Sequence, residues 1–148
     1  MRVEVDQSGK IGDTKVPTAL SFSNGDSLVI LIPATVKRKC ILELRKRGKS
    51  GPTLYLQLFA VGLYLLLKDH ISSLDQITID IEYMGHDAKI KEQLLNLFLR
   101  ANGFMPEATL DFRYIGKKSN AHEKAFAVFT NQIRPDRIIG FREMIAEF

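Results

Sequence analysis

Apolar and polar residues alternate with a period of two along the first quarter of the chain, as in strands with one buried face. Val3 and Val5 alternate with Glu4 and Asp6, which predicts a first strand over Arg2–Asp6, followed by a Gln7-Ser8-Gly9 turn signal and a Gly12-Asp13 loop. Thr18–Ser23 (TALSFS) predicts a second strand and Ser27–Ile32 a third, closed by Pro33, with Asn24-Gly25-Asp26 as a hairpin turn between them. From Thr35, a plausible N-cap, the period becomes helical. Val36, Cys40, Ile41 and Leu44 share one face and the basic residues take the other. After Gly48-Lys49-Ser50-Gly51-Pro52, the stretch Thr53–Lys68 predicts a long helix that is apolar almost all round and must be well covered.

Alternation returns at Gln76–His86 (QITIDIEYMGH), where Ile77, Ile79 and Ile81 oppose Thr78, Asp80 and Glu82. Charges are depleted from strand interiors, so two carboxylates there need a reason. Either that face is wet or it holds something positive. Asp87 then caps an amphipathic helix bearing Ile90, Leu94, Leu97, Phe98 and Ala101, ended by Asn102-Gly103. Ala108–Ile115 predicts a further strand. A helix over Ala121–Gln132 follows, with Asn120 and Glu123 in a loose capping box. Beyond Pro135, Asp136 is expected to cap a short last helix with Ile138, Phe141, Ile145 and Phe148 at helical spacing. Hairpins followed by alternating helices and strands predict one α/β domain over residues 1–148, a mixed five-stranded sheet with helices on both faces.

Composition adds little until charge is resolved by position. At 148 residues, 45% apolar and 26% charged, the chain has the make-up of an ordinary globular protein. Its one cysteine excludes an internal disulfide and suits a reducing, cytoplasmic setting. MRVEVD at the start lacks the charged-then-apolar pattern of a signal peptide, and Leu54–Leu67 is too short to span a bilayer. No membrane association is expected. Lys37, Arg38, Lys39, Arg45, Lys46, Arg47 and Lys49 stand against one acid, Glu43. That stretch is +6 in a chain of net +4, which leaves the remainder at −2. Such a segment suits a polyanionic partner such as nucleic acid, or is merely a solvated helix face. The apolar 53–68 helix also raises the expectation of a homo-oligomer formed through it.

The element order resembles the ribonuclease H-like superfamily, and two sequence features carry the likeness. VEVDQSG ends the first strand at Asp6, where the family has an acid before a turn, and ITIDIEY carries Asp80, where it has another. The VDQSG stretch also resembles the DESG-type first strand of an uncharacterised branch of that superfamily. The resemblance implies a nuclease that hydrolyses phosphodiester bonds with Mg²⁺ or Mn²⁺ held by Asp6 and Asp80. Glu82, on the face of Asp80, could replace a missing ligand. Further acids are implied from the helix after the third strand, where only Glu43 stands, and from near the C-terminal helix, where Glu123 and Asp136 are the candidates. Some family members carry a mobile histidine near that helix, a place His122 could fill. Lys117 and Lys118, after the last strand, suit phosphate contact. The alternative is a non-catalytic module of the same fold, binding nucleic acid or a protein, since the acidic set is incomplete. No phosphate-binding glycine loop, nucleophile elbow or Cys/His metal spacing is present. Cys40, on the apolar helix face, is expected to pack quietly.

Overall fold

The computed structural model describes residues 1–24 and 26–148. Six strands form one mixed sheet: β1 (Arg2–Ser8), β2 (Thr18–Asn24), β3 (Asp26–Ile32), β4 (Gln76–Asp80), β5 (Thr109–Arg113) and β6 (Arg137–Ile138). Their order across the sheet is β5-β4-β1-β2-β3-β6. The first three strands pair antiparallel as expected, while β4 lies parallel to β1, β5 parallel to β4, and β6 parallel to β3. Gly25, the centre of the expected hairpin turn, lies outside the described residues. Asn24 and Asp26 pair on either side of it.

Strand alternation sorts the side chains onto two faces. Val3, Val5, Leu20, Phe22, Ile30, Ile32, Ile77, Ile79 and Leu110 enter the large core. There they meet α1 (Ala34–Lys46), α2 (Gly51–Leu67), α3 (Asp87–Asn102) and α5 (Phe141–Ile145). Ala19 and Val29, one residue out of phase, face the opposite side and pack on Ala125 and Val128 of α4 (Asn120–Phe129). Helices therefore cover both faces, four on one and α4 alone on the other.

Five expectations need correction. Pro33 and His86, not Thr35 and Asp87, take the cap positions of α1 and α3. The sheet has six strands, because Asp136 does not cap a helix. Its N–H bonds to the Val29 carbonyl and its Oδ2 accepts from the Val29 N–H, which docks β6 along β3. Gly140 takes the cap position of α5 instead. The cap of α4 is Ser119, whose side chain accepts from the Ala121 N–H, not Asn120. The strand β1 runs on through Gln7 and Ser8, and the chain turns at Gly9 with φ +83°. Finally, the apolar residues of α2 from Leu54 to Leu67 are nearly all buried by this chain's own sheet and helices, so little of that apolar face is left for an oligomer. No helix among the described residues is long and apolar enough to cross a membrane.

Candidate metal centre

Parallel pairing of β1 with β4 sets Val5 opposite Ile79, so Asp80, the last residue of β4, lies beside Asp6, two residues before the end of β1. Both carboxylates project from the face that carries α4. Glu82 follows just beyond the end of β4. One ligand oxygen from each of Asp6, Asp80 and Glu82 lies within 4.8 Å of the others. Among the described residues this is the one group of acidic, histidine or cysteine side chains so placed.

Each carboxylate is held by its neighbours. Asp6, only 4% exposed, takes the Gln7 backbone N–H on Oδ1 at 2.8 Å and His122 Nδ1 on Oδ2 at 2.8 Å. Asp80 Oδ1 accepts from the Ile115 N–H at 2.8 Å. Burial raises the Asp6 pKa above the usual carboxylate range, against the hydrogen bonds from His122 and Gln7, and the charge of Asp80 adds to the rise. Glu82 is pushed up to about 8, first by burial and then by its hydrogen bond to Asp80 and the charges of Asp80 and Asp6. Three acids crowded in a partly dry site repel one another, and a cation relieves that repulsion.

The remaining candidates separate. His122 reaches the cluster from the first turn of α4, where Ser119 also bonds Glu4. Glu123, next in the helix, is exposed and outside the cluster. Asp136 is engaged with Val29 at the far side of the sheet. Glu43 pairs with Arg47 at 3.2 Å on the surface of α1. Lys117 and Lys118 are exposed in the connection from β5 to α4, the segment that also supplies Ile115 to Asp80. Arg38, Lys39, Arg45, Lys46 and Arg47 are exposed and Lys49 half-buried, on α1 and just after it, across the sheet from α4.

Lys37 departs from the basic face altogether. It is 0% exposed, and its Nζ donates to the carbonyls of Lys10 and Asp13 and to Thr18 Oγ1. Direct phosphate contact by Lys37 is ruled out by that burial. Spacing carried the signal, since Lys37, Cys40, Ile41 and Leu44 form one i, i+3, i+4, i+7 stripe. Cys40 is buried as expected, and burial raises its thiol to about 11.

Gln7 borders the site, and Asp111 lies on the neighbouring strand β5, outside the cluster. Gln7 Nε2 donates to the Tyr83 hydroxyl, which also accepts the Ile11 N–H, while Gln7 Oε1 is buried without a partner. Asp111 stands beside Thr78 on the face of Asp80. One of its oxygens is bound by Arg113 and the other is buried and unpaired. Alternation along β5 was the available signal for Asp111; nothing local marks Gln7. Comparison with protein-family models gives no match, and comparisons with curated proteins and with solved structures return no significant similarity. What stands is the class the geometry defines, a mixed-sheet α/β protein with an acidic cluster where the end of β4 lies beside β1.

Proposed function

We propose that this chain is a ribonuclease H-like nuclease that hydrolyses phosphodiester bonds in nucleic acid with Mg²⁺ or Mn²⁺. The observation that carries the reading is the convergence of Asp6, Asp80 and Glu82 from two adjacent parallel strands within 4.8 Å. The strand order, with β4 and β5 added to β1 on one side and an antiparallel β2 and β3 on the other, is compatible with that fold.

The donor set fits a hard divalent cation. Three carboxylates supply oxygen ligands, and Glu82 is raised first by burial and then by its contact with Asp80 and the charges of Asp80 and Asp6. When bound, such an ion polarises a phosphoryl oxygen and lowers the pKa of a coordinated water. The protein's own part is positioning. The Ile115 N–H fixes Asp80, while the Gln7 N–H and His122 fix Asp6, so both carboxylates would hold the cation without reorienting. Lys117 and Lys118 lie where a scissile strand's phosphates could be neutralised.

Activity is expected on an oligonucleotide panel with Mg²⁺ or Mn²⁺ and not in excess chelator. Asp6→Asn and Asp80→Asn should each lower the rate by at least about a hundredfold, since each removes a charged ligand. Unchanged hydrolysis in both variants would sink the reading. The second reading, a non-catalytic binding module of the same fold, draws on the separation of Glu43, Glu123 and Asp136 from the cluster. Binding of nucleic acid without hydrolysis under any divalent cation would favour it.

A further inference from the structure

A cleft of about 560 Å³ opens between the start of α2 and the segment after β4. Pro52, Tyr55 and Leu56 form one wall, Tyr83 and His86 the other, and Lys10 and Asp13 stand at its edge. That volume is in the range of small-ligand sites, and rings provide much of the wall. The cleft is linked to the cluster through Tyr83. Tyr83 follows Glu82 in the chain, and its hydroxyl is bonded to Gln7, the neighbour of Asp6. The Tyr83 ring is held edge-on by Phe59 at 4.9 Å, so this wall is rigid.

At its other end the cleft continues into a second hollow of about 290 Å³, which shares Gly12 and Tyr55 with it. Exposed Arg38, Leu42 and Arg45 of α1 line this hollow, and Arg45 Nη2 lies 3.5 Å from the Tyr55 hydroxyl. The two hollows together form a groove that leads from the basic face of α1, past Tyr55, to Tyr83, the residue after Glu82.

We infer that this groove seats an unpaired stretch of nucleic acid, with one base against Tyr55 and Tyr83 and the flanking phosphates on Arg45 and Arg38. The inference rests on the nuclease reading and specifies its substrate as single-stranded. Arginines on one side of an aromatic cleft complement a strand that alternates phosphate and base. A base held in a duplex is paired and stacked, so it reaches such a cleft only after extrusion costing a few kcal/mol. Asp13 at the edge opposes phosphate there, which places the backbone on the α1 side of the cleft.

The test is fluorescence anisotropy in chelator, where no cation-dependent hydrolysis occurs, with labelled oligothymidylate and oligouridylate dodecamers and a duplex of equal length. Single strands are expected to bind at least about tenfold more tightly than the duplex. Tyr55→Ala should weaken that binding by about tenfold, and Tyr55→Phe, which keeps the ring, should restore it. Arg45→Ala, at an exposed position, should weaken binding and flatten the slope of log K against log salt by about 0.7. Comparison of the two dodecamers assigns the strand as DNA or RNA. Equal binding of duplex and single strand, no single-strand binding, or indifference to both Tyr55→Ala and Arg45→Ala overturns the inference. Hydrolysis lost in Asp80→Asn but untouched by Tyr55→Ala would leave the nuclease standing without the groove. Tyr55-dependent binding with no hydrolysis would leave the groove without the nuclease.

Discussion

Lys37 shows how much one buried charge can organise. Its ammonium gathers two carbonyls and a hydroxyl from the β1–β2 connection, tying that loop to α1. Burial lowers its pKa from 10.5 to about 8. Between those values the unfolded chain binds more protons than the folded one, so this residue's contribution to stability rises with pH across that window. Cys40, raised from 9.0 to about 11, works in the opposite direction and makes the wild-type profile a sum of the two. The difference between variants isolates the lysine. Lys37→Met is expected to lose about 2 kcal/mol near pH 7, because the Lys10 and Asp13 carbonyls lose their donor. Its deficit against wild type should widen between about pH 8 and 10.5, as read by denaturant melts across that range. A deficit that narrows with pH would refute the assignment. Glu82 is the counterpart in the acidic site, a carboxyl held protonated well above its usual range by burial and two acidic neighbours.

Among the elements, the β1–Gly9–loop corner is the most constrained. Gly9 adopts φ +83°, and a Cβ there would lie 2.2 Å from the Pro17 carbonyl oxygen and 2.6 Å from the Phe129 ring. The glycine of VDQSG thus has a packing reason: it lets β1 turn beneath the end of α4 two residues after Gln7. Gly9→Ala combines a left-handed backbone with a backbone clash, and is expected to cost at least about 3 kcal/mol in chemical denaturation. A cost under about 1 kcal/mol would show that the corner relaxes freely. The same corner explains a misread boundary. Gln7 and Ser8 look like turn residues, yet β2 supplies the pairing partners Leu20 and Ala19 that keep them in the strand. Similarly, β6 is two residues long and has no periodicity of its own; only the exposed hydrogen-bonding edge of β3 makes it a strand.

For the whole molecule, coverage of α2 is the governing fact. A helix apolar on nearly every side sits between the sheet and α3, with Tyr64 edge-on to Phe98 at 5.1 Å. Gly62 lets it approach the sheet closely, since a Cβ there would stand 2.8 Å from Leu20 Cδ1. Because this coverage comes from within the chain, Leu58→Ala is expected to cost about 2–5 kcal/mol. The melting temperature of wild type and variant should be independent of protein concentration, checked by calorimetry over a hundredfold dilution. A concentration-dependent midpoint would reinstate an oligomer.

The chain's own pattern was enough for most of the elements and for the division of each strand into a core face and a polar face, because side-chain direction follows from local periodicity alone. It was enough, too, to single out Asp80 and Glu82 as strand carboxylates needing a reason, while Asp6 was marked by a family resemblance. The meeting of Asp6 with Asp80 was a matter of tertiary structure: they are 74 positions apart, and only the parallel pairing of β1 with β4 sets them side by side. Long-range packing likewise brought His122 to Asp6, took Glu123 and Asp136 out of the cluster, and buried Lys37 in a stretch that reads as a basic surface. Net charge and spacing describe what a segment can offer, whereas burial and partners depend on what the rest of the chain lays against it.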